Sequence, residues 1–251
     1  MNKLATTAMV VGLLLVPIPG QASTSGQSSW VTRGWAGYVV RAGNRSFSHV
    51  TASWTQPRVV CNRPGSSAAF WIGLGGARAG SQSLEQIGTS GDCSDRAVVS
   101  YSAWYQFFPA PPVELPLRVG PGDQLTAEVS VSAGIVGLSL RNDSSGSSFS
   151  TKIWMRAPEV DSAEWIVEAP SGCFTSCAPL PLADFGTARF TNAATSVDAH
   201  TGTIGDWAWS RLRLEMAQRR GTKAAVATRL SDDGSSFSVS RLRGRAAGEM
   251  A

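Results

Sequence analysis

The segment 163–170, AEWIVEAP, sets two glutamates into an apolar run that has the composition of a β-strand. Side chains alternate between the two faces of a strand, so Glu164, Ile166 and Glu168 are predicted to share one face, with Trp165 on the other. Two interpretations of the face that carries the carboxylates are open. It either meets solvent at the edge of a sheet, or it lines a cleft in which a carboxylate beside apolar walls is available for acid–base chemistry.

Segments of this kind recur along nearly the whole chain, whereas helical periodicity is almost absent. Each is short, alternates or is rich in β-branched and aromatic residues, and is bounded by Gly, Pro, Ser, Asn or Asp, as in FWIGLGG and AVVSYSAWYQFFP. About thirteen such strands favour an all-β fold of two packed antiparallel sheets, a β-sandwich.

Two connections can be predicted individually. VGPGDQL at 119–125 places Pro-Gly-Asp as a turn before a strand. RNDSSGSSFS at 141–150 is typical of a hairpin loop, because Asn, Asp and Gly tolerate the backbone angles of such a turn. No internal repeat or interdomain linker is visible, so residues 30–242 are predicted to form one domain.

The first residues have the pattern of a secretory signal peptide, residues 1–22. One lysine precedes an apolar stretch from Ala8 to Val16, and cleavage after Ala22 would leave residues 23–29 as a short linker or propeptide remnant. The stretch is far shorter than the roughly 20 residues that span a bilayer. We therefore expect a secreted, extracellular monomer that has no membrane association after cleavage and ends in a flexible tail at 243–251.

The charge of the chain gives no indication of a nucleic-acid partner. The formal net charge is only +4, and the arginines are scattered, with a small cluster in RLRGRAAG near the end. A nucleic-acid-binding face would show a continuous basic stripe with interleaved aromatic residues. We therefore expect no nucleic acid among the partners.

The cysteines form an even set, as expected of disulfides in an oxidising compartment: Cys61, Cys93, Cys173 and Cys177. Four cysteines allow three pairings. Cys61–Cys93 and Cys173–Cys177 are favoured, because the second pair closes the tight CFTSC loop and the first joins two loops rich in Gly and Pro. A zinc site is the alternative, but the only two histidines lie far from either pair in the sequence, so no metal is expected.

The inventory of nucleophiles argues against several enzyme classes. Neither His49 in FSHVTAS nor His200 in DAHTG has the surroundings of a catalytic triad, the cysteines serve better as disulfides, and no HExxH motif indicates a metal hydrolase. If the chain is an enzyme, carboxylates and amides must act in it without a cofactor. Its nine tryptophans could line a groove for an extended polymer, either a peptide or a polysaccharide.

Gln86 in SLEQIGTS is the amide of most interest. On a strand it would share a face with Leu84 and Gly88, opposite Glu85 and Ile87. A glutamine beside large apolar residues must find partners or cost on the order of 1 to 3 kcal/mol. It is therefore either a structural residue bonded to neighbouring backbone or an N–H donor aimed at a developing oxyanion.

Eight segments occur in an order and spacing that resemble the eqolisins, the glutamic peptidases. They are GWAGYVV (34–40), VTASWTQP (50–57), FWIGLGG (70–76), LEQIGT (84–89), SAWYQFFP (102–109), GD (122–123), AEWIVEAP (163–170) and LADFGTARF (182–190). A single segment is a weak signal, but eight in order cover nearly the whole chain after the leader.

The resemblance implies a lectin-like jelly roll of two seven-stranded antiparallel sheets, with a catalytic Gln and Glu facing each other in the concave groove of one sheet. Matching the motifs residue by residue makes Gln86 the catalytic glutamine and Glu168 the glutamate that activates water. Glu164 is then an accessory or structural carboxylate. The implied activity is that of a secreted acid endopeptidase, whose substrate is a polypeptide and which needs no cofactor.

The resemblance also implies a substrate groove formed by Trp35, Trp71, Trp104, Gln106 and Glu164. For the first two tryptophans, packing in the core is an equally open interpretation.

Other functions stay open beside this one. A secreted, non-catalytic β-sandwich that binds carbohydrate or peptide would share the architecture and the aromatic groove. A glycosidase that uses Glu164 and Glu168 is disfavoured, because same-face residues four apart on a strand are about 13 Å apart, beyond the roughly 5 to 9.5 Å of glycosidase carboxyl pairs. At Gly75, Gln106 and Phe108 the chain departs from the fungal eqolisins, which leaves its groove with fewer carboxylates and its subsite preference open.

Overall fold

The computed structural model describes residues 29–172, 178–217 and 221–242. The predicted signal peptide, the linker up to residue 28, Cys173, Cys177 and the tail from residue 243 lie outside the described residues. Eighteen strands form in the described part, more than the sequence predicts, because several are short pieces of two to four residues. No helix in the described ranges is long and apolar enough to cross a membrane.

The strands in chain order are β1 (Ser29–Thr32), β2 (Trp35–Arg41), β3 (Phe47–Thr55), β4 (Ser67–Gly75), β5 (Leu84–Cys93), β6 (Val99–Phe108), β7 (Val113–Glu114), β8 (Gln124–Ser132), β9 (Ile135–Asn142), β10 (Ser147–Trp154), β11 (Ala163–Glu168), β12 (Ser171–Gly172), β13 (Ala178–Pro179), β14 (Thr187–Val197), β15 (His200–Thr203), β16 (Ser210–Ala217), β17 (Lys223–Ala227) and β18 (Phe237–Arg241).

The strands form two layers that pack face to face. The first layer has the order β10-β9-β8-β3-β14-β18, and the second has the order β16-β2-β11-β4-β5-β6-β7. β17 pairs with both β18 and β16 and so joins the layers along one side. Across the interior, β3 contacts β4, and β5 contacts β8 and β9. The predicted all-β sandwich of antiparallel sheets is confirmed, and β1, which runs parallel to β16, is an exception to the antiparallel pairing.

Strand alternation directs large apolar side chains into the interior between the layers. From β11, Trp165 and Val167 are fully buried there, and Trp165 Nε1 donates to the backbone oxygen of Thr51 in the opposite layer at 2.9 Å. β11 itself lies between β2 and β4. The interpretation that its glutamates meet solvent at a sheet edge is therefore wrong, because they lie on the outer face of an inner strand.

Both predicted turns and one predicted disulfide are confirmed. Gly122 has a φ of +96° just before β8, and Gly146 has a φ of +74° between β9 and β10, a backbone conformation that favours glycine.

Cys61 and Cys93 form a disulfide across a separation of 32 residues and tie the segment after β3 to the end of β5. Closing a loop of this length stabilises the fold by about 3 to 4 kcal/mol on chain-entropy grounds.

Glu85 places a carboxyl group in the interior. Glu85 precedes Gln86 on β5, so its side chain points to the opposite face of the sheet. It pairs with Leu74 and Phe107 and is fully buried. Neither of its carboxyl oxygens has a hydrogen-bond partner. Burial raises the pKa of Glu85 from 4.5 to about 7. Ionisation of Glu85 therefore opposes folding.

We predict that the free energy of unfolding falls as the pH rises from 4 to 8. Because the folded pKa of Glu85 exceeds the unfolded value, its contribution is fully present below pH 4.5 and is lost as the pH rises through about 7. A shift of this size corresponds to about 3 kcal/mol. Glu85→Gln should therefore lose less stability than the wild type over this range, measured by urea unfolding followed through tryptophan fluorescence.

Glu114 is the matched control, because it is exposed on β7. Glu114→Gln should keep the pH dependence of the wild type. A Glu85→Gln variant that lost as much stability as the wild type between pH 4 and 8 would contradict the assignment to Glu85.

Candidate active site

The outer face of the second layer carries both glutamates of β11 and is called the tryptophan face below. It consists of the side chains of β2, β11, β4, β5 and β6 that alternate away from the interior. Trp35, Trp71 and Ile166 form an apolar cluster on this face that is separate from the interior core, and Trp104 packs against it. The predicted sharing of one face by the two glutamates and Ile166 is confirmed.

Strand register decides which residues of the tryptophan face are neighbours. Glu164 pairs with Gly73 of β4, and Gly73 pairs with Gln86 of β5. Glu164 and Gln86 therefore lie on either side of a glycine, with their Cα atoms about 10 Å apart at the usual strand spacing. Gln86 pairs in turn with Gln106 of β6. The row therefore runs across β11, β4, β5 and β6, and every strand in it except β4 contributes a polar side chain.

Glu168 lies in a different row of the sheet. It pairs with Ala69, and Ala69 pairs with Ser90, which is four residues along β5 from Gln86. Two strand spacings and four residues along the strand put the Cα atoms of Glu168 and Gln86 about 16 Å apart. The register therefore puts Glu164 in the row of Gln86, and Glu168 on the same face four residues further along β11.

Glu164 is completely buried although it points to the outer face. Neither of its carboxyl oxygens has a hydrogen-bond partner. Burial raises the pKa of Glu164 well above its usual value. The Ser162 hydroxyl and the guanidinium of Arg41 lower this pKa, whereas the negative charges of Asp161 and Glu85 raise it further. Burial therefore favours the neutral form of Glu164.

Gln86 is 5% exposed and is held by another side chain and not by neighbouring backbone. Its Nε2 donates to Gln106 Oε1 at 2.7 Å, and Gln106 Nε2 donates to the backbone oxygen of Ala110 at 2.8 Å. Gln86 Oε1 has no partner. An amide nitrogen carries two hydrogens, so one N–H of Gln86 stays available for a ligand.

Glu168 is half-buried and is held by a tryptophan. Trp71 Nε1 donates to Glu168 Oε2 at 2.8 Å, and Trp35 packs edge-on against Trp71 with 5.0 Å between ring centroids. Burial raises the pKa of Glu168 to about 7, and hydrogen bonds from Trp71 and Trp35 offset part of this effect. Glu168 is therefore neutral in acid solution.

The predicted groove residues differ in what they can offer a ligand. Trp71 is fully buried and Trp35 is 6% exposed, so both pack as core residues of the tryptophan-face cluster. Trp104 and Gln106 are half-buried and keep surface on the outside. In this conformation Trp104, Gln106 and Glu168 can contact a ligand.

Two residues beside Glu164 are absent from the set selected by sequence analysis. Gly73 lies inside FWIGLGG, a motif from which only Trp71 was selected. Arg41 ends β2, and strand alternation could have found it, because it shares a face with Trp35, Gly37 and Val39. It is a cation at the end of an otherwise apolar row.

Other polar features lie away from the tryptophan face. His49 pairs with Glu128 at 2.6 Å on the first layer, and His200 pairs with Asp206 at 3.1 Å. A cavity of about 700 Å³ is lined by residues that include Asp206 and the exposed Trp207. Within the described ranges, no group of three or more His, Cys, Asp or Glu residues could hold a metal ion.

Solved peptidase structures share this fold. Scytalido-glutamic peptidase, crystallised with a transition state analog inhibitor, matches with a TM-score of 0.72 at 17% identity, covering 84% of this chain and 98% of that chain. SCP-B, a member of the eqolisin family in a complex with the tripeptide Ala-Ile-His, matches with a TM-score of 0.65 at 18% identity and the same coverage. Aspergilloglutamic peptidase from Aspergillus niger has a TM-score of 0.58 at 24% identity, covering 70% of this chain and 99% of that chain. These likenesses establish the fold.

Comparison of sequences establishes the family. No curated protein matches the chain. The model of the peptidase A4 family, however, matches residues 33–241, which is most of the chain and includes every strand from β2 to β18. The chain therefore belongs to the peptidase A4 family, the eqolisins, and is a peptidase.

Proposed function

We propose that this peptidase is a secreted acid endopeptidase in which Glu168 activates the attacking water and Gln86 stabilises the oxyanion. Both side chains belong to the tryptophan face. The observation that carries the proposal is that Glu168, unlike the completely buried Glu164, keeps exposed surface on this face and is held there by Trp71 Nε1 at 2.8 Å.

Gly73 leaves space beside Gln86 on the tryptophan face. A Cβ at this position would lie 2.9 Å from Leu84 Cδ1 and 3.2 Å from Gln86 Cβ, so no larger residue fits without displacing them. The glycine therefore lets the Gln86 amide keep its place beside Gln106. Its second N–H is suited to donate to a substrate carbonyl.

The proposed reaction uses one carboxyl group twice. Glu168, in its ionised form, takes a proton from water while the water oxygen bonds to the carbonyl carbon of the scissile peptide bond. The carbonyl oxygen becomes an oxyanion, which the free N–H of Gln86 stabilises by donating to it. Glu168, now protonated, gives its proton to the peptide nitrogen as the C–N bond breaks, which regenerates the carboxylate.

Gln106 and Glu164 have supporting roles in this proposal. Gln106 holds one N–H of Gln86 and so orients the amide toward the carbonyl. Glu164 is completely buried about 13 Å along β11 from Glu168, so it supports the site without contacting the substrate. Trp104 keeps exposed surface and is suited to contact the substrate away from the scissile bond.

The secreted location rests on two features. The first residues have the pattern of a signal peptide. The Cys61–Cys93 disulfide is of a kind that persists in oxidising compartments. Monomeric state and the absence of nucleic-acid partners stay predictions.

Digestion of a denatured protein tests the proposed activity. We expect internal cleavage between about pH 3 and 6 that an inhibitor of pepsin-type peptidases does not reduce, with the cleavage sites mapped by mass spectrometry. Cleavage confined to chain ends would contradict an endopeptidase, and full sensitivity to that inhibitor would point to a contaminating aspartic peptidase.

Isosteric amide variants distinguish the two glutamates. Glu168→Gln should lower kcat/KM to background, because an amide cannot accept the proton of the water. Glu164→Gln should cost much less activity, because its carboxyl is completely buried and does not contact the substrate. Both variants should keep the wild-type circular dichroism spectrum. The opposite result, an active Glu168→Gln and an inactive but folded Glu164→Gln, would give the catalytic role to Glu164.

Gln86→Ala should lower kcat by about 10² to 10³, as removal of an oxyanion donor does in other peptidases. Because Gln86 and Glu168 act in the same step, the variant that combines Gln86→Ala with Glu168→Gln should be scarcely less active than Glu168→Gln alone. Multiplicative losses in the double variant would show that the two residues act independently.

Gly73→Ala should lower kcat by about 10², because the added methyl group must displace Gln86 or Leu84 and small misplacements of catalytic groups are costly. Gly120→Ala is the control, since a Cβ there would come no closer than 4.0 Å to another atom, Asp123 Oδ2. Wild-type kinetics in a folded Gly73→Ala variant would show that the placement of Gln86 does not depend on this glycine.

A further inference from the structure

The cavity of about 700 Å³ lies between two loops, one joining β15 to β16 and the other joining β17 to β18. The first loop contributes Asp206 and Trp207 to its lining, and the second contributes Arg229 and Asp232. The volume falls in the range of roughly 300 to 1,000 Å³ that is usual for small-molecule sites. The residues that line the cavity do not belong to the tryptophan face, so it is a separate site.

Trp207 is the most exposed large apolar side chain among the described residues, at 89%. Trp209, two residues further on, is only 5% exposed, and its Nε1 donates to the backbone oxygen of Ile204 at 3.2 Å. The same loop therefore buries one indole and leaves the other in solvent. A lone exposed aromatic residue is common on protein surfaces, but Trp207 also lines the cavity. Its surface is available to a ligand in that cavity.

The indole of Trp207 is held in place without being covered. The ring of His200 lies 5.9 Å from the ring of Trp207, centroid to centroid, at an angle of 49°. His200 Nε2 is 3.1 Å from Asp206 Oδ2, and the backbone N–H of Ala208 donates to Asp206 Oδ1 at 2.8 Å. Both neighbours of Trp207 in the chain are thus fixed to each other. A ligand that binds to an ordered ring pays little entropy for immobilising it.

The two loops are also bonded to each other. Gly205 N donates to the backbone oxygen of Gly234 at 3.1 Å, and Thr203 Oγ1 donates to the backbone oxygen of Asp233 at 3.1 Å. A Cβ on Gly205 would lie 2.8 Å from Gly234 Cα, so the backbones are in direct contact. The cavity is therefore formed before a ligand arrives. Because the loops pair with each other here, this contact offers no free edge to which a peptide strand could add.

The charges around the cavity indicate the chemistry of its ligand. Three aspartates and two arginines line it: Asp206, Asp232, Asp233, Arg211 and Arg229. A cationic ligand would meet the arginines and an anionic ligand would meet the aspartates. Carboxylates only accept hydrogen bonds and guanidinium groups only donate them, whereas a hydroxyl group does both. An uncharged ligand rich in hydroxyl groups therefore suits this lining.

We infer that the cavity is a binding site for a neutral carbohydrate, whose ring stacks on Trp207 while its hydroxyls bond to the aspartates and arginines. The face of an indole is negative and attracts the C–H groups on the flat side of a sugar ring. Such a site holds the protein on a polysaccharide or on a glycosylated protein, which offer the same sugar hydroxyls. The inference does not depend on the proposed function, since no residue of the tryptophan face takes part.

Titration with uncharged oligosaccharides tests this inference. Cellohexaose, maltohexaose and chitohexaose represent polysaccharides, and a high-mannose glycan represents glycosylated proteins. In ¹⁵N-labelled protein, the indole N–H resonance of Trp207 is assigned as the one missing from Trp207→Phe. We expect this resonance to shift with at least one of these sugars at millimolar concentration, and isothermal titration calorimetry then gives the Kd. The sugar that binds shows which of the two sources the site serves.

Substitutions locate the bound sugar. Trp207→Ala should raise the Kd about tenfold or more, as loss of an aromatic anchor does at other interfaces. Asp232→Ala should raise it roughly tenfold, because a hydrogen bond to a charged group is lost. Trp154→Ala is the matched control, since Trp154 is 67% exposed but lies on β10, and it should leave the Kd unchanged. Circular dichroism should show the wild-type fold in all three variants.

Three results would overturn the inference. One is a Trp207 resonance that none of the sugars shifts. Another is sugar binding that Trp207→Ala retains in full, which would place the sugar elsewhere. The third is a shift caused by an oligolysine or oligoproline peptide and by none of the sugars, which would assign the cavity to peptides. A protein that binds sugar through Trp207 but cleaves no peptide bond would keep this inference and contradict the proposed function.

Discussion

The register of β11 between β2 and β4 is the constraint on which the rest of the site depends. Because side chains alternate, a slip of one residue would turn both glutamates into the interior and Trp165 and Val167 out of it. Glycines permit this close pairing of strands. A Cβ on Gly37 would lie 2.1 Å from the backbone oxygen of Trp165, so β2 can approach β11 here only with glycine. On β4, Gly73 pairs with Glu164 and leaves space beside it.

Buried carboxyl groups put stability and chemistry in opposition. Glu85 and Glu164 lie on opposite faces of the same layer, both are completely buried, and the negative charge of Glu85 acts to keep Glu164 protonated. Folding favours the neutral form of each, and burial favours the neutral form of Glu168 as well, whereas the proposed reaction needs Glu168 ionised. The range of pH in which the enzyme works is therefore bounded by the ionisation of Glu168 on the acid side and by the loss of stability on the alkaline side.

Much of the fold could be predicted, because strand alternation and turn chemistry act over a few neighbouring residues. AEWIVEAP alone predicts a strand whose glutamates share a face, and this is the arrangement found. The same local pattern could not decide whether that face meets solvent at an edge, since the neighbours of β11 are about 90 and 130 residues away in the chain, on β4 and β2. Nor could it rank Glu164 against Glu168. The two residues are alike in type, face and strand, and they differ only in what stands opposite them on β4 and β5.

The sequence by itself determined the all-β class, the inward and outward sides of the strands, the Cys61–Cys93 pairing and the family, and it directed attention to Gln86 and the two glutamates of β11. Only the tertiary structure decided that Gly73 aligns Gln86 with Glu164 and that Glu85 lies in the interior. The physical reason is a difference in range. Alternation repeats every two residues and can be read locally, whereas register and desolvation are set by residues that are distant in the chain and become neighbours only when the layers form.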